Sequence, residues 1–529
     1  MIQTDQITRD SKFTSLENLQ IYCGLDTMVT REVHVELGRL FNQSPAIYDF
    51  ERALQGPYLD MMCRGFRVDE TARRQAASGL HNRIGHLQLL LSQMSDAVWG
   101  RALNPRSPAQ LKDFFYHSPG GLRLPEQWIS QKGQRRVSTN REALEKLEVY
   151  LHARPIIAAI LTIRDIAKQI EVLENEVDHD GRFRTSYNIA GTETGRPSSS
   201  ENAFGTGGNA QNIAPGLRYV FVADSGYKLG VIDLEQVEAR DVGWFCGTLF
   251  GDWKFLDNCE SGDLHTANAR LVWPELPWTG DAKSDRQLAN RNYYRDFSYR
   301  DMAKRCSHLS NYMGSAWTAS RVLKVPSEIT MDFQSRYCRG RPEDTRRGFA
   351  EIIPAYPAIA RFWQWVATEL QLNQTLVTPF GRKRQFFARP GDDSTLREAI
   401  AFLPQSTTAD RMNLGLWRIW KHMPQVQLLA QGFDSVVFQF PESESEDEII
   451  KRALELIRIE LTYRGRKYVV PGEAKVGWNW GQQVTQEDQC RAQAEGKRVP
   501  RLNPDGLVKW NGKVPDGRKR LVGINRLAM

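Results

Sequence analysis

The chain lacks a Cys-x-x-Cys pair, a long apolar run, a secretory-type opening and any visible internal repeat. Seven cysteines, Cys23, Cys63, Cys246, Cys259, Cys306, Cys338 and Cys490, are scattered over 529 residues. Such spacing suits neither a zinc site nor a disulfide framework. Reduced thiols in an intracellular protein are the simple reading. The opening Met1-Ile2-Gln3-Thr4-Asp5 has neither the basic nor the apolar region of a signal peptide. No apolar run is long enough to cross a bilayer, so no membrane partner is expected, and the location read from the sequence is cytoplasmic. A large charge excess is missing too: 70 Lys and Arg against 63 Asp and Glu leave +7. That balance fits nucleic-acid contact without requiring it.

What is present is apolar content of 41%, with fourteen Trp, over a length worth several domains. Within it two aspartates carry the most information. Asp233 ends the apolar run of LGVIDLEQVEAR (229–240), and Asp434 splits the apolar pattern QLLAQGFDSVVFQF (427–440). Both patterns are β-type, so both carboxylates are expected at strand ends, facing solvent from buried strands. On neighbouring strands they would form a divalent-metal site, because hard cations such as Mg²⁺ prefer carboxylate oxygen. Between them Arg300, Lys304, His308 and Tyr312 recur every four residues. On a helix this series drifts by only about 40° per step, so the four share a face. Two cations, an imidazole and a phenol do not make a core stripe. They suit a triphosphate at one end and a base or sugar at the other.

The rest of the pattern predicts an α+β protein. Residues 1–45 and 46–180 read as helical, with a polar loop over 117–140 that carries Lys132, Arg135 and Arg136. Residues 181–235 are rich in Gly, Ser, Thr and Asn and read as loops and short strands, closing on a strand over 228–233. Residues 236–373 are helical again. A short hairpin turns at Gly381 within 378–386, a helix covers 395–421, a hairpin covers 427–440, and an amphipathic helix covers 446–465. The polar, basic tail 482–529 reads as a linker.

Motifs in this order resemble those of family A DNA polymerases, the polymerase I class. DLEQVEAR (233–240) resembles motif A, RDMAKRCSHLSNYMGS (300–315) motif B and QGFDSV (431–436) motif C. LNPRSPAQL (103–111) is similar to the thumb signature, TETGRPSSS (192–200) and NAQNIAP (209–215) to the palm segment before motif A, and GDLHTANA (262–269) to the start of the fingers. TPFGRKRQF (378–386) and REAIAFLPQSTTAD (397–410) resemble the segments leading to motif C. The resemblance implies a right-hand fold with an antiparallel palm sheet and mostly helical fingers and thumb. It sets 1–45 as the end of an exonuclease domain, 46–185 as thumb with part of the palm, 186–264 as palm, 265–394 as fingers, 395–481 as palm and 482–529 as a basic extension. It implies primer–template DNA and deoxynucleoside triphosphates as partners and two Mg²⁺ ions, with Mn²⁺ able to substitute, held by Asp233, Asp434 and the Leu234 carbonyl. By the same resemblance Arg300, Lys304 and His265 hold the triphosphate, with Lys304 as general acid. Tyr312 lies near the templating base, Glu238 is the steric gate against a 2′-hydroxyl, and Gln236 sits beside it. Arg196, Gln211, Asn212, Arg397 and Gln405 match positions that contact primer or template. Lys283, Arg286 and Arg291 fall in an added stretch and read as surface charge.

Three departures qualify this. His308 stands where the family has Phe or Tyr, which implies altered sugar selectivity of either sign. Motif C reads Phe433-Asp434-Ser435 in place of His-Asp-Glu, and Ala401 replaces an expected Asn. Of the 3′–5′ exonuclease motifs only Tyr22-x-x-x-Asp26 is matched. The expectation is therefore no exonuclease activity from this chain alone, with a separately encoded exonuclease docking on 1–45 or, as the favoured reading, these residues capping the thumb helices. Compact size and the irregular motif C suggest a phage or mobile-element enzyme, placed in a host cytoplasm. The competing readings are a single-subunit RNA polymerase-like enzyme and a catalytically idle replisome factor.

Overall fold

The structure is a computed structural model, and it describes residues 16–40, 45–131, 134–202, 204–295, 297–344 and 350–512. Helices α1 (Pro45–Arg64), α2 (Glu70–Trp99) and α3 (Arg154–Glu174) form where the three-and-four apolar spacing predicted them. Asp69 caps α2 by accepting from the Ala72 N–H at 2.9 Å, and Gly100 ends the helix at φ +70°. Leu91 of α2 and Ile157 and Ile160 of α3 share a core with Phe114, Phe115 and Leu144. A second helical core gathers α4 (Val237–Phe250), α5 (Leu264–Val272) and α6 (Tyr299–Asn311) around Phe255, Phe333 and Phe362. Helices α7 (Asp393–His422) and α8 (Glu446–Ile457) cover the sheet.

That five-stranded sheet joins the two helical regions. Strands β1 (Tyr227–Leu234), β2 (Gln427–Gly432), β3 (Ser435–Pro441), β4 (Gly472–Gly477) and β5 (Val508–Lys509) pair antiparallel in the order β2-β3-β1-β4-β5. Side chains alternate between faces along each strand. Ile232, Val436, Phe438, Ala474 and Val476 pack with Leu54, Met412 and Ile450 of α1, α7 and α8. Leu229, Val231 and Val437 face the other way, toward Phe66, Phe221 and Trp480. Gly230 admits the close approach: a Cβ there would lie 2.5 Å from the Phe438 ring. The predicted strand 228–233, the hairpin 427–440 and the hairpin around Gly381 are all present.

Four sequence expectations fail. The helix from 446 stops at Ile457, and Glu460–Tyr463 pairs with Arg466–Val469 around Arg464 and Gly465, both at positive φ. The β-formers Thr462, Tyr463, Tyr468 and Val469 override the helical period there. The stretch 117–140 is not all loop, because Trp128–Gln131 and Gln134–Val137 form a hairpin that carries Arg135 and Arg136. Lys132 lies outside the described residues. Helix Leu16–Leu40, which holds Tyr22 and Asp26, caps nothing by burial: no residue of Gln20–Arg39 is buried, and Met28 is 60% exposed. The tail is no linker as far as residue 512. It carries helix Gln486–Ala494, and β5 extends the central sheet beside β4. Residues 513–529 lie outside the described residues.

The ion pair between Asp241 of α4 and Arg411 of α7 is fully buried at 3.2 Å. Removing one partner strands the other charge, so Asp241→Ala should cost about 3–5 kcal/mol in urea unfolding. A loss under about 1 kcal/mol would show that the pair is not structural.

Candidate active site

Asp233 is the next-to-last residue of β1, directly opposite Ser435 on β3 and Glu473 on β4. Phe433 and Asp434 make the turn between β2 and β3. The Leu234 N–H donates to the Asp434 backbone carbonyl at 3.0 Å, which ties that turn to the end of β1. Leu234 itself is buried. The turn that carries Asp434 therefore lies beside the end of the strand that carries Asp233. Burial pushes the Asp233 carboxyl up to about 6, and the charge of Asp434 adds to the shift. Burial also raises Asp434, and Glu238 adds to that. Phe433 sits at φ +59°, a left-handed conformation that costs a non-glycine residue about 1–2 kcal/mol. Its ring lies 5.5 Å from the Arg196 guanidinium.

Facing the carboxylates is a cavity of about 500 Å³, lined by Gln236, Glu238, His265, Lys304, His308 and Asp434 among others. Helix α6 supplies one wall. It starts on a capping box: the Ser298 hydroxyl accepts from the Asp301 N–H at 3.1 Å, and the Asp301 carboxylate accepts from the Ser298 N–H at 3.2 Å. Lys304 and His308 share the wall, and the His308 ring meets Tyr312 edge-on at 5.5 Å. Tyr312 is the C-cap residue rather than a helical one. Its hydroxyl donates to Glu238 Oε2 at 2.5 Å, while Arg196 pairs with Glu238 Oε1. The carboxylate of Glu238 is thus fixed from two sides at the N-terminal turn of α4.

Arg300 stands at the other end of the face, and its Nη2 donates to Asp263 at 3.0 Å. Asp263 also caps α5, accepting from the Thr266 N–H at 3.2 Å. Arg286 approaches the same carboxylate to 3.7 Å, with its side chain 62% exposed. Burial drives the His265 imidazole down to about 4, helped by Arg300 and Lys304, so the ring is neutral at pH 7. Its Nδ1 is buried without a hydrogen-bond partner, and so is Oε1 of Gln236, which caps α4 at φ +51°. Orphaned polar atoms on the lining of a cavity are satisfied by a ligand or water.

The remaining predicted residues divide. Gln211 accepts from Ser199 at 2.8 Å and donates to Gln431 at 3.1 Å, and Gln431 in turn donates to the Phe433 carbonyl. The Gln211 chain therefore supports the turn of Asp434. Asn212 is exposed beside it. Arg397 is exposed and 3.5 Å from Asp393, and Gln405 is half-buried on α7; neither lines the cavity. Sequence reasoning passed over Asp263, Gln431 and Glu473. Only Asp263 carried a signal, as an Asp one residue before an apolar helix pattern.

Among the described residues no three His, Cys, Asp or Glu side chains form a metal-binding group. The donors present are the two desolvated carboxylates of Asp233 and Asp434. Such a set suits a hard cation that takes its other oxygens from water or a bound phosphate.

Comparison with known proteins bears on the family and the fold. The model of DNA polymerase family A matches residues 74–482, and the chain belongs to that family. It is 25% identical to DNA polymerase I of Chloroflexus aurantiacus over 90% of this chain and 48% of that protein. It is 26% identical to the thermostable DNA polymerase I of Thermus thermophilus over 81% of this chain and 47% of that protein. The chain thus spans about half the length of the curated relatives it matches. Among solved structures it resembles the POL domain of Pol1 from M. smegmatis in complex with DNA primer-template and dNTP. The TM-score is 0.62 at 21% identity, over 87% of this chain and 73% of that one. The fold is accordingly the right-hand polymerase fold, an α+β arrangement with the antiparallel sheet as its palm.

The Asp233 shift fixes a sign. Its folded value of about 6 lies above the ordinary 3.8, so its charge costs stability above pH 6 and nothing once both states are protonated. In chelator, Asp233→Asn should gain roughly 1–3 kcal/mol at pH 8 and almost nothing near pH 4. Thermal melts at the two pH values check this, and an equal effect at both removes the assigned cause.

Proposed function

We propose that the chain is a template-directed DNA polymerase that adds deoxynucleotides to a primer 3′ end during DNA replication. The observation that carries the proposal is that Asp434, whose charge acts on Asp233, lines one cavity with Lys304, His265 and His308. In this reading 46–185 is the thumb with part of the palm, 186–264 and 395–481 are palm, and 265–394 is the fingers.

Family A polymerases use divalent metal ions. Asp233, Asp434 and the Leu234 carbonyl would hold Mg²⁺, with Mn²⁺ as a substitute, and when bound the ions neutralise charge on the triphosphate and the attacking oxygen. In the reaction a bond forms from the primer 3′-oxygen to the α-phosphorus, and the bond from that phosphorus to the pyrophosphate oxygen breaks. The 3′-hydroxyl proton goes to solvent. Lys304, which projects into the cavity, binds the outgoing phosphates and gives the pyrophosphate its proton. Arg300 binds them as well after exchanging Asp263 for phosphate oxygen, a charge-assisted contact of the same kind. Neutral His265 can offer a hydrogen bond through an N–H without adding a further buried cation. Glu238, pinned by Tyr312 and Arg196, occupies a fixed volume where a ribose 2′-hydroxyl would fall, which selects deoxynucleotides.

Primer extension tests the proposal. The unaltered chain with Mg²⁺ should extend a primer with deoxynucleotides and not with ribonucleotides, and Asp233→Asn should lower the rate by at least about a thousandfold. Extension by Asp233→Asn at the unaltered rate would sink the catalytic assignment. No extension by the unaltered chain would favour an idle DNA-binding factor, and ribonucleotide extension would favour an RNA polymerase. His308→Phe should change the ratio of dideoxy- to deoxynucleotide incorporation, and identical ratios would remove His308 from sugar selection.

A further inference from the structure

The family match ends at residue 482, but the chain continues to fold against the sheet. The Leu507 N–H donates to the Gly481 carbonyl at 2.6 Å, Val508 pairs with Val476, and Lys509 reaches Glu473 at 2.8 Å. This added segment walls a cleft of about 680 Å³ against β4 and the turn 215–219. Four cations line it, Arg218, Lys475, Arg501 and Lys509, against a single acid, Glu473. Two of the guanidiniums are stacked on aromatic rings: Arg218 lies 4.6 Å from Trp480 and Arg501 lies 4.3 Å from Tyr219. Stacking fixes the plane of a guanidinium. Arg501 also donates from Nη1 to the Tyr219 hydroxyl at 2.8 Å and from Nη2 to Gln75 at 3.2 Å, and each of these nitrogens carries a second N–H for an anion. The cleft shares its sheet face with the catalytic carboxylate, because Glu473 is the cross-strand partner of Asp233 and Lys475 that of Lys509.

We propose that this cleft is a binding site for the phosphate backbone of a single DNA strand running to or from the active site. The four cations, from the 215–219 turn, β4, residues 500–503 and β5, line one cleft, and a DNA backbone, with a phosphate at every nucleotide, can engage several of them at once. The ring faces of Tyr219 and Trp480 are already covered by arginine. Base stacking on those faces is therefore closed, and the binding is independent of sequence. The strand's identity as DNA rests on the polymerase reading, although the two can fail separately.

The test is fluorescence anisotropy of a labelled single-stranded oligonucleotide on the full chain across a salt series. Two lost phosphate contacts should lower the slope of log K on log[salt] by about 1.4 in Arg501→Ala/Lys509→Ala. Affinity should fall about tenfold at low salt, and Arg501→Lys/Lys509→Arg should restore it. Lys451→Ala/Arg452→Ala, on the exposed face of α8, removes equal charge elsewhere and should leave the slope unchanged. If the double variant fails to fold, Arg501→Ala alone should show about half the slope change. A slope equal to that of the α8 control overturns the proposal. So does loss of inorganic pyrophosphate binding with DNA binding intact, which would make the cleft a small-phosphate site. Absence of primer extension by the unaltered chain would sink the polymerase reading and leave these slopes to be judged on their own.

Discussion

The buried pair of Asp241 and Arg411 is the constraint on which the rest of the molecule depends. Asp241 lies just over one turn into the helix that follows Asp233, and Arg411 lies in the helix that leads to the strand pair of Asp434. Both side chains are fully buried. Tyr468 donates to the same carboxylate at 2.7 Å, Thr408 donates at 3.0 Å, and Arg411 donates to the Ile459 carbonyl at 2.9 Å. Trp244 and Arg411 both stack on Tyr468. Such a pair gains little net stability over apolar residues of the same volume, because desolvating two charges is costly. What it does provide is a single register, since α4 sliding by one turn on α7 would leave both charges unpaired in the core. The positions of Asp233 and Asp434 relative to each other inherit that register.

On this frame the strand of Asp233 is placed at the centre of the sheet, flanked by β3 and β4. A central strand is ordered from both sides, so its last residues move least. The cost appears at Asp233, whose carboxyl is desolvated by the same packing that fixes it. The row Ser435–Asp233–Glu473 across three strands shows how that cost is limited. A hydroxyl faces Asp233 on one side, and on the other the neighbouring acid is held by Lys509. An acid at 435, as the family resemblance led one to expect, would have added a further like charge opposite Asp233. The serine relieves repulsion at the expense of a possible ligand.

Much of this was legible in the sequence where the determinants are local. The strand before Asp233, the hairpin at Asp434 and the shared face of Arg300, Lys304 and His308 each follow from the spacing of a few residues. What was missed depends on partners far away in the chain. Nothing within QLLAQGFDSV says that Gln431 will meet Gln211 or that Phe433 will lie under Arg196. The charged tail looked like a linker because its apolar residues, such as Val484, Val499, Leu502 and Leu507, are scattered among polar ones without a period. Backbone pairing to β4 and the Lys509–Glu473 contact hold it without a large apolar face. The helix expected over 446–465 ran too far because Leu454, Leu461 and Ile457 keep a helical period that the turn at Gly465 overrides.

The charges of the site are almost all paired within the protein. Asp263 holds Arg300, and Arg196 with Tyr312 holds Glu238, so ligand binding there is an exchange of partners rather than the filling of empty places. Exchange has two consequences. A cation already paired with a carboxylate gives less net energy to a phosphate, since the first contact must be broken. The same pairing keeps each side chain in place before the ligand arrives, so less ordering entropy is lost on binding. Lys304 differs, being exposed and turned into the cavity. In the proposed reaction it is the cation best placed to meet a triphosphate first, with the release of Arg300 from Asp263 following that contact. The order of engagement along α6 is therefore set by which cation the apo protein leaves accessible.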